Sequence, residues 1–264
     1  MIIEARETLV ACEIRGDKGP RVVLLHGWGC SMEMMSPLAA ALEKDHQVLL
    51  IDFPGHGKSG FPPAPWGVPE YAACLKEVLK KADFLPCAAV GHSFGCRVAA
   101  WLAADDPSVF TRLVFTGAAG LRPRQSEEGK KRAEAFQKKK RAIRRLEGIA
   151  PLRTVAEKME ERLRRRYGSA DYNALAPEMR ATFVRVVNED LRDKYPLIRQ
   201  STLLIWGDAD TETPLWMGQE MEKLIPDAGL VIFEGGSHFA FIEQPERFHT
   251  VVRFFLTEDE QHDI

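Results

Sequence analysis

Five short, unbroken apolar runs punctuate this chain: Val22-Val23-Leu24-Leu25, Val48-Leu49-Leu50-Ile51, Leu113-Val114-Phe115, Leu203-Leu204-Ile205-Trp206 and Leu230-Val231-Ile232-Phe233. A strand with one wet face alternates apolar and polar residues. A run without alternation has both faces covered, as in a parallel sheet held between layers of helix. Helical spacing fills the gaps: Tyr71, Leu75, Val78, Leu79 and Ala82 share one helix face, and Phe248, Val251, Val252 and Phe255 form the stripe of a last helix. The pattern predicts an α/β fold with a mostly parallel sheet flanked by helices. The first twenty residues read as an antiparallel hairpin turning near Gly16-Asp17-Lys18-Gly19.

The rhythm breaks between about 120 and 198. No strand is evident there, but two helical stripes are: Val155, Met159, Leu163, Tyr167, then Met179, Phe183, Val186, Val187. Pro177 suits the first turn of the second helix. This segment reads as a helical cap inserted over the carboxyl edge of the sheet, leaving 1–119 and 199–264 as the core domain. Its charge differs too. From Leu121 to Gln200 there are 22 Lys/Arg against 12 Asp/Glu, whereas the whole chain has a formal net charge of −2. Such asymmetry marks a separate unit. Basic clusters such as Lys138-Lys139-Lys140-Arg141 and Arg164-Arg165-Arg166 read as solvated helix faces, or as partners for an anionic substrate. They lack the aromatic interleaving and recognition motif of a nucleic-acid binder.

At 264 residues and 45% apolar, the chain can bury a sizeable core. No run approaches a membrane span, and the N-terminus, Met1-Ile2-Ile3-Glu4-Ala5-Arg6-Glu7, has charges where a signal peptide would be apolar. Five cysteines, an odd number, fit reduced thiols better than a disulfide framework. No C-x-x-C pair or histidine cluster suggests a metal. The expectation is a soluble cytoplasmic protein, monomer or homodimer, with a small-molecule substrate, no cofactor and no membrane or nucleic-acid partner.

The chemistry centres on Gly91-His92-Ser93-Phe94-Gly95, placed between the apolar strand candidate Cys87-Ala88-Ala89-Val90 and a helix beginning near Phe94. A strand that turns sharply into a helix brings backbone segments very close, and glycines at 91 and 95 relieve the crowding. The serine between them is held clear of the sheet, at the positive end of a helix dipole. Serine at neutral pH needs a base, and the base needs an acid to orient it and support its positive form. The best base is His238, in the loop after the last predicted strand. The best acid is Asp210, in Trp206-Gly207-Asp208-Ala209-Asp210 after the preceding strand, with Asp208 as its rival. Ser, Asp, His is the order this elbow arrangement requires. Backbone N–H groups of Phe94 and of Trp28, in His26-Gly27-Trp28-Gly29, are placed to bind a developing oxyanion, each worth roughly 3–4 kcal/mol of barrier.

These pieces, with Asp52-Phe53-Pro54-Gly55-His56-Gly57-Lys58-Ser59 and Gly236-Ser237-His238, make the chain resemble the α/β-hydrolase fold family in its cap-bearing serine hydrolase and esterase branch. The resemblance spans nearly the whole chain. It implies an eight-stranded, mostly parallel sheet with helices on both faces and a cap inserted after the sixth strand. It also implies the catalytic roles of Ser93, Asp210 and His238 and the oxyanion roles of Trp28 and Phe94. Family spacing from the acid to Pro214 favours Asp210 over Asp208. The alternative acid position of some relatives is vacant, because Thr116-Gly117-Ala118-Ala119-Gly120 holds no acidic residue. Haloalkane dehalogenases and epoxide hydrolases carry a carboxylate where Ser93 stands, which disfavours both.

Other residues have plainer readings. His26, His56 and His92 are structural or pocket-lining, Asp52 ties down its own Gly-rich turn, and Cys96 is a small core residue. Gly55-His56-Gly57-Lys58-Ser59 lacks phosphate-loop spacing. Phe136, Met159, Phe183 and Trp216 are expected to line an acyl pocket. The function expected is a serine hydrolase cleaving an ester or related acyl compound of small to medium size. The alternatives are a C–C bond hydrolase of an anionic diketone-type substrate and a slow-turnover ligand sensor.

Overall fold

A computed structural model describes residues 1–122, 138, 141 and 175–257. Eight strands form one sheet: β1 (Ile2–Ala5), β2 (Thr8–Arg15), β3 (Arg21–Leu25), β4 (Gln47–Ile51), β5 (Cys87–His92), β6 (Phe110–Thr116), β7 (Thr202–Gly207) and β8 (Ala228–Phe233). Their spatial order is β1-β2-β4-β3-β5-β6-β7-β8. β1 and β2 pair antiparallel, and β2 lies antiparallel to β4. Every pair from β4 through β8 is parallel.

Alternate residues of each central strand feed opposite faces, as the pleat requires. Val23 and Leu25 of β3 join one buried cluster, with α2 (Val68–Lys81), α3 (Phe94–Asp105) and α5 (Trp216–Leu224). Val22 and Leu24 join the other, with α1 (Ser36–Leu42) and α6 (Pro245–Thr257). The unbroken apolar runs are thus explained by a core on each side. Each fully buried Val or Leu contributes about 2 kcal/mol to holding it. β8 departs from this rule. It is the edge strand, only Phe233 in it is buried, and Ile232 is 38% exposed, so its apolar run does not mean two covered faces.

The hairpin also turns elsewhere than the sequence suggests. β1 reverses into β2 at Arg6-Glu7, whose φ values of 50° and 61° are the positive pair a two-residue primed turn needs. Neither residue type announces such a turn. The glycine-bearing segment from Gly16 to Gly19 instead carries the chain from β2 to β3, strands that are not neighbours. It runs against the Asp45-His46 turn so tightly that a side chain on Gly19 would lie 1.8 Å from the Asp45 carbonyl oxygen.

The chain divides into two compact units, Met1–Leu121 with Val184–Ile264, and Arg122–Phe183. The helix expected to begin at Pro177 does so as α4 (Pro177–Asn188) and crosses the boundary. In the sheet-bearing unit, the buried Arg97 guanidinium of α3 donates to the carbonyls of Val186 (2.8 Å) and Glu189, and the Leu191 N–H donates to the Gly120 carbonyl. These bonds tie the return segment to the end of β6. Val186 is buried, but Val187 is 40% exposed, so the apolar stripe here is narrower than its sequence. No helix among the described residues is long and apolar enough to cross a membrane. All five cysteines are free thiols.

Candidate active site

Ser93 sits between β5 and α3 with φ 49° and ψ −104°, a backbone state that costs a residue with a Cβ of order 1–3 kcal/mol. Neighbouring bonds hold it there: its N–H donates to the Thr116 carbonyl at 3.0 Å, and its own carbonyl accepts from Ala119 and Arg97. The flanking glycines serve close approach. A Cβ on Gly95 would lie 2.4 Å from the Leu25 carbonyl oxygen, and one on Gly91 would lie 2.8 Å from the Cys96 nitrogen. β5, the end of β3 and the first turn of α3 therefore touch backbone to backbone. Ser93 remains partly exposed in this packing. Phe94 is the first residue of α3, so its N–H is one of the donors a helix start leaves unused. The rings of Trp28 and Phe94 pack edge-on at 5.2 Å, bringing the loop after β3 against the elbow.

His238 and Asp210 meet. The Nδ1 of His238 is 2.8 Å from Oδ2 of Asp210, and both groups are buried. Asp208 instead accepts from the Gly235 N–H at 2.7 Å and is exposed. Burial alone would push the Asp210 carboxyl up. Hydrogen bonds from His238 and Thr213 outweigh that and hold it below the usual carboxylate range. The Asp210 Oδ1 accepts the Glu212 and Thr213 N–H groups, both at 2.9 Å. The Thr213 hydroxyl donates to Oδ2 at 2.8 Å and lies 3.1 Å from His238 Nδ1. The base's own loop is pinned by Glu243, which accepts the Ser237 N–H at 2.8 Å and its hydroxyl at 2.5 Å.

The histidine before the nucleophile joins the two loops. His92 Nε2–H donates to the His238 carbonyl at 3.0 Å, and its ring lies 4.7 Å from that of His238. Burial lowers its pKa to about 3, so the ring is neutral. Its Nδ1 has no partner among the described residues. His26 is likewise buried and neutral, its pKa also lowered to about 3 by desolvation. It accepts the Phe53 N–H at 3.0 Å through Nε2 and donates from Nδ1 to the Gly27 carbonyl at 2.7 Å. Asp52 secures its turn by accepting the Met32 N–H at 2.7 Å and the Lys58 N–H at 2.8 Å. Cys96 is buried, with its thiol pushed up by desolvation.

Among the expected pocket residues, Phe136 and Met159 lie outside the described residues. Phe183 is half-buried in α4 and belongs to the second compact unit. Trp216 opens α5 at 38% exposure and makes no hydrogen bond or ring contact with Ser93, Asp210 or His238. Lys138 and Arg141 are exposed helical residues. Thr213, Glu243 and the bridging role of His92 were not foreseen. The first had a usable signal, a threonine three residues beyond an aspartate in a loop, where a hydroxyl readily bonds back to the carboxylate.

A model of the alpha/beta hydrolase family matches residues 22–251. The chain belongs to that family. Among its relatives, an uncharacterized protein of Mycobacterium tuberculosis is 27% identical over 93% of this chain and 78% of its own. A pimeloyl-[acyl-carrier protein] methyl ester esterase of Vibrio vulnificus is 26% identical, over 90% of this chain and 94% of its own. Among solved structures, the enol-lactonase of Burkholderia xenovorans superposes with a TM-score of 0.75 at 23% identity. It covers 97% of this chain and all of its own, and shares the fold.

Proposed function

We propose that this alpha/beta hydrolase is a serine hydrolase that cleaves an ester or related acyl compound of small to medium size through an acyl-enzyme. His238 Nε2 takes the Ser93 hydroxyl proton as Oγ attacks the carbonyl carbon. The carbonyl oxygen becomes an oxyanion held by the N–H groups of Phe94 and Trp28. When the tetrahedral species collapses, the proton on Nε2 passes to the leaving alcohol. Water then attacks the acyl-enzyme, giving its proton to His238, which passes it to Ser93 Oγ as the acyl bond breaks and the acid departs. Asp210 keeps the imidazole in the tautomer with the proton on Nδ1 and supports its positive form.

The observation that carries this reading is the 2.8 Å bond between His238 Nδ1 and a buried Asp210. With its Nδ1–H given to that carboxylate, a neutral His238 offers Nε2 as acceptor, and Ser93 stands in the strained turn one residue beyond the His92 link. An esterase with 26% identity over 90% of this chain is consistent with it. A cap over roughly 120–198 and a cytoplasmic location, suggested by five free thiols, belong to the same proposal. The test is release of nitrophenol from a series of acyl esters of increasing chain length. Turnover that vanishes in Ser93→Ala supports the reading, whereas equal turnover by Ser93→Ala overturns it.

A further inference from the structure

Each nitrogen of the His238 ring faces a carboxylate. Nδ1 is 2.8 Å from Asp210, whose side chain is fully buried. Nε2 is 3.7 Å from Oε2 of Glu212, whose side chain is 61% exposed. The hydrolytic steps use only the first. Glu212 is not placed by chance, because its N–H donates to Asp210 Oδ1 at 2.9 Å. The turn that seats the acid therefore also carries the second carboxylate, whose Oε2 stands 3.7 Å from the open nitrogen. Among the described residues no lysine or arginine forms an ion pair with it. Its charge also raises the Cys30 thiol, second to burial, so its field reaches the loop that follows β3.

Nε2 is the atom that returns a proton to the departing oxygen, so that oxygen must come within about 3 Å of it. A carboxylate 3.7 Å from the same nitrogen is a neighbour of the leaving group. Resting on the acyl-hydrolase reading above, we infer that Glu212 is a specificity-determining residue that favours substrates with a cationic leaving group and disfavours anionic ones. A charge a few ångströms away in a partly wet site discriminates through Coulomb attraction that salt weakens. An anionic diketone-type substrate fits such a site poorly.

The experiment compares acetate esters of choline, of its neutral isostere 3,3-dimethylbutanol, and of 2-hydroxyethanesulfonate. For each enzyme form, kcat/KM is normalised to the neutral ester, and comparing forms cancels the esters' intrinsic reactivity. The wild type should prefer choline to sulfonate by about tenfold more than Glu212→Gln does. Glu212→Lys should reverse the order, and added salt should compress the wild-type ratio but not that of Glu212→Gln. A ratio unchanged in both variants, with Ser93→Ala inactive, overturns the inference alone. Hydrolysis that survives in Ser93→Ala overturns the acyl-hydrolase reading with it.

Discussion

The Thr213 hydroxyl lies within 2.8 Å of Asp210 Oδ2 and 3.1 Å of His238 Nδ1, so acid and base share a third buried group. The acid thus receives three protein donors in addition to the imidazole, two of them backbone N–H groups on Oδ1. Removing the carboxylate charge should be far worse than removing the hydroxyl. Asp210→Asn should lower kcat by roughly ten-thousandfold through the wrong imidazole tautomer. Thr213→Val should lower it by about tenfold, the scale of one buried hydrogen bond. Asp208→Asn should change kcat by less than about twofold, since among the described residues its carboxylate bonds only the N–H of exposed Gly235. Steady-state kinetics of the three variants on one ester checks all of these.

Strain at the nucleophile separates stability from activity. Ser93 holds φ 49° and ψ −104°, which glycine adopts at little cost. Ser93→Ala and Ser93→Gly should both be inactive, but the glycine variant should be more stable than the alanine variant by about 1 kcal/mol. Urea unfolding of the pair measures the difference. Equal stabilities would mean that the turn is not strained.

Acid should destabilise the protein through its buried histidines. Both His26 and His92 have pKa values lowered from 6.5 to about 3 by burial. Above pH 6.5 neither the folded nor the unfolded form binds these protons, and stability is unaffected. As pH falls from 6.5 toward 3, the unfolded chain takes up two protons that the folded chain refuses, so stability declines. At pH 5 the loss is about 4 kcal/mol for the pair. Calorimetric unfolding at pH 5 should absorb about one proton fewer in His92→Asn than in the wild type. The Asp210 carboxyl, held below its usual range, adds a further loss at lower pH.

Contact rather than conformation fixes Gly95. Its would-be Cβ meets the Leu25 backbone, which has no flexible end to yield. Gly95→Ala should destabilise the protein by about 2–3 kcal/mol, visible as a lower urea midpoint with unchanged slope.

Much of this was legible in the sequence because each feature was local. Val22–Leu25 and Val48–Ile51 are buried on both sides, and their lack of alternation said so. Ser93, Asp210 and His238 each follow a strand, and the fold brings strand ends to one edge. What escaped depended on partners distant in sequence or on residue types that send no signal. Arg6-Glu7 make a turn without glycine or asparagine. β8 is apolar yet half-exposed because no ninth strand covers it among the described residues. His92 bonds a carbonyl 146 residues away, and Arg97 one 89 residues away. Glu212 looks like any loop carboxylate until His238 is folded beside it.

Hydrolysis at this site requires Ser93 to be a nucleophile activated by His238 and Asp210. Labelling the folded protein with a fluorophosphonate and mapping the modified peptide by mass spectrometry tests this most directly. One label per chain is expected on Ser93, absent in Ser93→Ala and slowed at least a hundredfold in His238→Asn. Labelling at a different residue, or undiminished labelling of Ser93→Ala, would contradict it.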